Sequence, residues 1–176
     1  MKQNLLVVGY DYDLSKRLAE KLADAFSMRV LDSIELFEFD HIPFSFSEIL
    51  EKNGVEYVMK KMKSILKMEF DFDDAVFVAN INMADNALDL FYKIRLSNFV
   101  VLYKKDTKQE VIELQNKTYK TDKEKEFFVS SELDLKLFED AIEKNLADAV
   151  VEIDGIEDDE IVAKIIDKIK EYYSVN

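Results

Sequence analysis

Five short, almost wholly apolar runs recur along the chain, and longer stretches with helical spacing of apolar residues separate them. Strands that are apolar on both faces are typical of parallel sheets covered by helices on each side. Right-handed crossovers then place the helices in two outer layers. We therefore predict an α/β fold, a three-layer α/β/α sandwich with a five-stranded parallel sheet. The predicted strands are Leu5–Gly9, Met28–Leu31, Ala75–Ala79, Asn98–Tyr103 and Ala149–Ile153.

The stretches between the strands carry apolar residues at the spacing of one helix face. The predicted helices are Asp13–Phe26, Ser47–Lys52, Val55–Lys67, Asp85–Leu96, Thr107–Leu114, Leu133–Leu146 and Asp158–Tyr173. A polar, lysine-rich loop is predicted at Gln115–Glu126. Because ligands of such sheets bind beyond the carboxyl ends of the strands, the residues that follow the strands are the candidates for a functional site.

The charge balance and the missing residue types exclude several classes of function. With 24 Lys+Arg against 37 Asp+Glu, the net charge is −13, which disfavours binding to nucleic acid and to anionic membranes. The chain has no cysteine and one histidine, His41, so disulfides, thiolate chemistry and multi-histidine metal sites are excluded. At 176 residues we expect one domain. The lack of a long apolar run or a signal sequence leads us to expect a cytoplasmic protein.

Several segments resemble the shikimate kinases, a family of small P-loop kinases. The stretch VVGYDYDLSKRLAEKLA resembles the family's phosphate loop and first helix. Further stretches resemble its second strand (MRVLDS), substrate-domain helices (FSEILEKNGVEYVMKKMKSIL), fourth strand (NFVVLY) and final helix–strand–helix (LKLFEDAIEKNLADAVVEIDGIEDDEIVAKIIDKI). The resemblance covers nearly the whole chain. It implies one P-loop-kinase-like domain over residues 1–176 with strand order 2-3-1-4-5, a helical substrate-type subdomain at 33–67 and a lid-like loop at 115–128.

The chain departs from this family at the phosphate loop, whose pattern is G-x-x-x-x-G-K-[ST]. Gly9 matches the first glycine, but Leu14 stands in place of the second. Ser15 and Lys16 stand in place of the lysine and the hydroxyl residue. Two carboxylates of the loop would also oppose polyphosphate with like charge. The degenerate nucleotide-loop positions are Gly9, Tyr10, Asp11, Asp13, Ser15 and Lys16.

The positions that the resemblance assigns to the substrate cleft are changed as well. Asp32 keeps the first aspartate of the family's D-x-D, whereas Ile34 replaces the second. Met59 stands where the family has a substrate-binding arginine, and Asn80-Ile81-Asn82 replaces a triple-glycine turn. The lid offers lysines in place of arginines: Lys117, Lys120, Lys123 and Lys125. The substrate-cleft-equivalent positions are Asp32, Ile34, Met59, Asn80, Ile81 and Asn82.

These changes together predict that ATP binding and catalysis are lost, because phosphoryl transfer depends on positioned positive charge and metal. We expect a shikimate-kinase-like pseudoenzyme with no catalytic residues and no cofactor, acting in binding or assembly. One alternative is a working kinase for shikimate or a similar small hydroxylated acid. It would use ATP and Mg²⁺, with Lys16 and the lid lysines as the phosphate-binding cations.

A second alternative starts from the acidic residues after the first strand. The run Asp11-Tyr12-Asp13-Leu14-Ser15 resembles the nucleophile loop of haloacid-dehalogenase-type phosphatases. Asp11 would then be the nucleophile, Asp13 the acid/base and Lys104 or Lys105 the charge-balancing lysine. A Mg²⁺ site at Asp32, shared with Asp11 and Asp13, is a related hypothesis. The simpler interpretation is that Asp13 caps the first helix and the other two are solvated.

Four phenylalanines, Phe37, Phe39, Phe44 and Phe46, lie in the substrate-type subdomain. Without a small anion to hold, we expect the old cleft to collapse partly into core and to leave an apolar patch. This patch is predicted to serve a protein partner. A homodimer is the simplest case, because twofold dimers are the commonest assembly. His41 is expected to be structural or exposed.

Overall fold

A single parallel sheet forms the centre of the molecule. The computed structural model describes residues 4–69, 72–80, 98–129 and 132–175. Its strands pair in parallel in the order β2-β3-β1-β4-β5, which confirms the predicted sheet and strand order. The strands are β1 (Asn4–Gly9), β2 (Arg29–Asp32), β3 (Ala75–Asn80), β4 (Asn98–Lys104) and β5 (Ala149–Glu152).

Helices cover both faces of the sheet, and we number those of the described ranges in chain order. They are α1 (Tyr12–Phe26), α2 (Ser33–Asp40), α3 (Phe46–Asn53), α4 (Val55–Glu69), α5 (Thr107–Asn116), α6 (Asp122–Phe128), α7 (Glu132–Asn145) and α8 (Asp158–Val175). The predicted helix Asp85–Leu96 lies outside the described residues. Across the described ranges, no helix combines the length and the apolar character needed to cross a membrane.

The alternation of side chains along the central strand divides the interior into two cores. On β1, Leu5 and Val7 face the core that is closed by α1 and α8. Leu6 and Val8 face the second core, which α2 to α7 close. Because every strand of a doubly covered sheet buries both faces, the apolar runs of the sequence are continuous rather than alternating.

Two helices were not predicted individually, although the first lies within the helical subdomain expected at 33–67. The residues after β2 form helix α2, because the carboxylate of Asp32 accepts the first-turn N–H groups of Ile34 and Glu35. Helix α6 begins within the predicted loop Gln115–Glu126 and runs past its end to Phe128, and Thr121 caps the helix by accepting the N–H of Glu124. In both cases the sequence alone could equally place a polar residue in a loop. In the structure the side chain of that residue caps the first turn of a short helix.

Candidate functional site

The connection from β1 to α1 is short. Only Tyr10 and Asp11 separate the strand from the helix, which begins at Tyr12. In a P-loop, glycines let successive backbone N–H groups wrap around phosphate before the helix begins. Here the positions of the second glycine and the lysine, Leu14 and Ser15, already lie in the first helical turn and are buried.

Asp11 uses the N–H groups at the start of α1. Its carboxylate accepts from the N–H of Asp13 at 3.0 Å and of Leu14 at 3.5 Å. Its carbonyl oxygen accepts the N–H of Ser15 at 2.9 Å. Asp11 is therefore the helix cap, and the expectation that Asp13 caps this helix is wrong. The amides that bind phosphate at a helix N-terminus are those that Asp11 occupies here.

A lysine from the lid-like segment completes this arrangement. Lys117 Nζ lies 2.5 Å from Asp11 Oδ1 and 2.7 Å from Asp13 Oδ2. Burial lowers the pKa of this lysine, but its hydrogen bonds to Asp11 and Asp13 outweigh burial, and the net shift of the pKa is upward. Two carboxylates of the chain itself thus neutralise the positive charge of Lys117.

The space beneath the β1–α1 turn is filled by Tyr103, the penultimate residue of β4. A Cβ atom at Gly9 would lie 1.9 Å from the Tyr103 ring, so Gly9 is required here by close packing. The buried Tyr103 hydroxyl donates to the carbonyl of Asp11 at 2.5 Å. The Ser15 hydroxyl, 2.7 Å away, is then left as the donor to Tyr103. Ser15, which stands where a P-loop has its lysine, therefore forms a hydrogen bond with Tyr103.

Lys16, the remaining loop cation, faces the second strand. Its Nζ lies 2.5 Å from Glu35 Oε1 and 3.3 Å from Asp32 Oδ2. The hydrogen bond to Glu35 raises the pKa of Lys16, against a smaller lowering by burial. Asp32 is buried, caps α2 and also accepts the hydroxyl of Tyr12. Oδ1 of this aspartate therefore holds structural hydrogen bonds, whereas the buried Oδ2 has no hydrogen-bond partner among the described residues and lies 3.3 Å from Lys16 Nζ.

The structure brings no metal site together from the predicted acidic residues. Asp11 and Asp13 face Lys117, whereas Asp32 faces Lys16. In the ranges that the structure describes, no group of three acidic, histidine or cysteine side chains could hold a metal ion. The geometry therefore lends no support to the hypothesis of Mg²⁺ at Asp32.

Both lysines named for the phosphatase hypothesis form ion pairs with other carboxylates. Lys104 lies 2.8 Å from Glu143, 3.4 Å from Glu139 and 3.5 Å from Glu152. Lys105 lies 3.2 Å from the buried carboxylate of Glu110 and also pairs with Glu113. Burial raises the pKa of Glu110 to about 7, although Lys105 opposes the shift.

The substrate-cleft-equivalent positions lie partly in core. Ile34 is buried, and the half-buried Met59 packs against the same core. Asn80 ends β3 opposite Gly9 in the sheet register, and Ile81 and Asn82 lie outside the described residues. Among the phenylalanines, Phe37 and Phe46 are buried, whereas Phe39 and Phe44 are 73% and 52% exposed. His41 stacks on Phe37 with ring centroids 4.3 Å apart, as a structural histidine would.

A small cavity of about 190 Å³ remains between the start of α1 and the lid-like segment. The aromatic rings of Tyr12, Tyr119 and Phe128 line it, and the centroid of the Phe128 ring lies 5.6 Å from that of Tyr12 and 6.2 Å from that of Tyr119. Asp13 and Lys117 also line it. Pockets for small-molecule ligands usually measure about 300–1,000 Å³, so this cavity is small for a nucleotide.

Buried contacts hold the lid-like segment on the substrate-type subdomain. The Ser47 hydroxyl donates to the buried Glu124, which also accepts the N–H of Lys120 at 2.7 Å. Phe127, 2% exposed, packs edge-on against Phe46 with ring centroids 5.1 Å apart. The segment is therefore anchored to the packed core through Glu124 and Phe127. The sequence alone predicts a polar loop here, because the lysines of this segment carry no signal of burial.

Comparison with family models finds no match, and no curated protein matches the chain significantly. Solved structures do match. The shikimate kinase of Aquifex aeolicus has a TM-score of 0.72 at 16% identity, covering 97% of this chain and 98% of its own. The shikimate kinase of Acinetobacter baumannii, solved with shikimate, has a TM-score of 0.71 at 16% identity, covering 97% and 94%. The Bacteroides thetaiotaomicron shikimate kinase has a TM-score of 0.65 at 13% identity, covering 98% of each chain.

These likenesses extend over nearly the full length of both chains in each pair and agree with the observed strand order. At such low identity they bear on the fold alone. The chain therefore has the fold of the shikimate kinases and related P-loop kinases.

Proposed function

We propose that this protein keeps a kinase-like fold without ATP binding or phosphoryl transfer, and that it acts as a binding or assembly protein. The observation that carries the proposal is the capping of α1 by Asp11. The Asp11 carboxylate accepts from the amides of Asp13 and Leu14, two of the first-turn donors that a phosphate would otherwise use.

The negative charge of Asp11 also opposes the binding of polyphosphate. A phosphate oxygen at about 4 Å from the Asp11 carboxylate would be repelled by about 4 kcal/mol at an effective dielectric constant of about 20. Two of the cations that could offset this cost, Lys16 and Lys117, each face two carboxylates. Binding of polyphosphate would have to break these ion pairs first.

Space adds a third argument against ATP and Mg²⁺. The Tyr103 ring lies against Gly9 and its hydroxyl supports the turn, so the β1–α1 connection cannot open around a phosphate without moving a buried side chain. The residues present thus do not fit the nucleotide that the fold family implies. We derive no catalytic step for this chain.

The experiment that tests the proposal is a thermal-shift titration with ATP–Mg²⁺, with and without shikimate, alongside a coupled assay of ATP turnover. A ligand at 100 times its dissociation constant stabilises a fold by about 2.7 kcal/mol. We expect no shift in millimolar ATP–Mg²⁺ and no turnover. A shift of several degrees that Lys16→Ala abolishes, but the exposed control Lys21→Ala does not, would establish the working kinase instead.

The phosphatase alternative is tested separately. Wild type and Asp11→Asn are assayed for hydrolysis of p-nitrophenyl phosphate in the presence of Mg²⁺. Because the Asp11 carboxylate is bonded to two amides and to Lys117, we expect no activity in either protein. Activity in wild type that disappears in Asp11→Asn would overturn this expectation.

A further inference from the structure

Four aromatic side chains line the cavity between the start of α1 and the lid-like segment: Tyr10, Tyr12, Tyr119 and Phe128. We call this cavity the aromatic pocket. The Phe128 ring joins its two sides, because it packs against Tyr12 of α1 and stacks on Tyr119 of the lid-like segment. The volume of about 190 Å³ is roughly six times that of a water molecule in the liquid. The pocket therefore has room for a ligand of about five to eight non-hydrogen atoms.

The hydroxyl protons of the three tyrosines are already used. Those of Tyr10, Tyr12 and Tyr119 are donated, respectively, to the carboxylates of Glu139 and Asp32 and, at 2.9 Å, to the carbonyl oxygen of Leu114. A ligand therefore meets aromatic rings whose O–H donors are occupied. A phenol that donates to a carboxylate gains electron density in its ring, and this strengthens the attraction of the ring for a cation.

Carboxylates outnumber cations around the aromatic pocket. Lys117 lies 2.5 Å from Asp11 and 2.7 Å from Asp13, so two carboxylates oppose its charge. Burial raises the pKa of the Tyr119 hydroxyl, Lys117 lowers it, and three carboxylates raise it further. Among the described residues, the charged ones that line the pocket are Asp11, Asp13, Glu124, Lys117 and Lys120.

The surroundings of the pocket do not reverse this balance. Of the neighbouring helices, α5 carries two carboxylates and one lysine, α6 carries three and two, and α1 carries equal numbers of acidic and basic residues. Behind the tyrosine hydroxyls, Lys16 faces two carboxylates and Lys104 faces three. Electron-rich rings within a net negative surround favour a positively charged ligand.

We propose that the aromatic pocket binds a small organic cation, an alkylated ammonium compound that contacts the rings of Tyr12, Tyr119 and Phe128. This inference rests on the proposed function as a binding protein and names its ligand class. Asp13, which lines the pocket and is exposed, would balance the charge of the ligand. An anion fits less well, because it would face three carboxylates and Lys117 would have to leave both of its partners to bind it.

The ligand class is tested by isothermal titration calorimetry with choline, in a buffer free of other organic cations. The control ligands are 3,3-dimethylbutan-1-ol, which has the shape of choline without its charge, and inorganic phosphate. We expect saturable binding of choline, at least about tenfold weaker binding of the uncharged analogue, and no binding of phosphate. Binding of the analogue as tight as that of choline, or binding of phosphate alone, would overturn the proposal.

The role of the rings is tested with Tyr119→Leu and Tyr119→Phe. The leucine removes the ring, whereas the phenylalanine removes only the hydroxyl. We expect choline to bind Tyr119→Leu at least about fivefold more weakly and Tyr119→Phe within about twofold of wild type. Tyr57→Leu, at a tyrosine of α4 that is 36% exposed, is the matched control and should bind as wild type does. Circular dichroism checks that each variant is folded. Equal weakening in Tyr119→Leu and Tyr119→Phe would contradict a role for the ring.

Charge is tested with Asp13→Asn and Lys120→Gln, which should act in opposite directions. We expect choline to bind Asp13→Asn about two- to fivefold more weakly and Lys120→Gln up to about twofold more tightly. The exposed controls Asp24→Asn and Lys108→Gln should leave binding unchanged. The reverse pattern, weaker binding after Lys120→Gln and tighter binding after Asp13→Asn, is that of an anion site and would refute the proposal.

The source of the ammonium group is tested with a short peptide that contains trimethyllysine. We expect the peptide to bind no more tightly than choline, because the pocket holds only a small molecule. Binding at least about tenfold tighter than that of choline would assign the pocket to a modified partner protein instead. ATP–Mg²⁺ is titrated separately. Failure of choline to bind is thus distinct from failure of the proposed function, which only nucleotide binding or turnover would show.

Discussion

Replacing Gly9 by alanine tests whether Tyr103 occupies the space under the phosphate-loop position. The new Cβ would lie 1.9–2.3 Å from three ring atoms of Tyr103, far inside contact distance. The ring must therefore move, although it is fully buried and its hydroxyl contacts Asp11 and Ser15.

The cost follows from packing and hydrogen bonding together. Overpacking a core site costs about 1–3 kcal/mol, and each neutral hydrogen bond that is lost adds about 1 kcal/mol. We expect Gly9→Ala to lower the free energy of unfolding by about 3 kcal/mol. In a domain of this size that lowers the melting temperature by roughly 6–12 °C. Urea denaturation followed by circular dichroism measures the change.

A double-mutant cycle isolates the contact between the two residues. A leucine at position 103 does not extend to the ring atoms that the new Cβ would meet, so Gly9→Ala should cost little in the Tyr103→Leu background. We expect a coupling energy of at least about 2 kcal/mol. Gly54→Ala is the control, because Gly54 has a φ of 84° and a Cβ added there would meet no atom of the described residues within 4 Å. Its cost should be the same in both backgrounds. An equal cost of Gly9→Ala in both backgrounds would refute the reasoning.

Three further predictions concern buried and paired carboxylates. Because burial raises the pKa of Glu110 from 4.5 to about 7, its contribution to stability is present below pH 4.5 and is lost as the pH rises through 7. Glu110→Gln should therefore match wild type at pH 4 and exceed it by about 3 kcal/mol at pH 8 in urea denaturation, whereas a pH-independent difference would contradict this. Lys117→Met leaves two partly exposed carboxylates unpaired, so we expect a loss of only about 1 kcal/mol, but faster hydrogen exchange over residues 117–128, and unchanged exchange would count against the ion pairs as a restraint. Ser47→Ala removes a hydrogen bond to the buried Glu124 and should cost about 1–2 kcal/mol in the same denaturation assay, and a neutral result would show that this bond contributes nothing.

The sequence predicts the sheet and its coverage well, because these depend on local patterns. Continuous apolar runs and helical periodicity each extend over enough residues to distinguish a doubly covered parallel sheet from other folds. The departures from the phosphate-loop pattern at Leu14 and Ser15 are also visible without coordinates. Local patterns therefore predict a doubly covered parallel sheet, and the resemblance to the shikimate kinases adds the kinase-like strand order and the departures at the nucleotide loop.

What replaces the phosphate contacts is decided by residues that are distant in sequence. In the sequence, Tyr103 is indistinguishable from an ordinary strand residue. Only the parallel register of β4 beside β1 places its ring against Gly9. The sequence predicts a solvated lysine at Lys117, yet this side chain forms an ion pair with Asp11, 106 positions earlier. Glu110 lies on a polar helix and becomes buried only when that helix packs on the sheet. Burial and long-range pairing depend on which surfaces meet, and a one-dimensional pattern of apolar and polar residues does not contain that information.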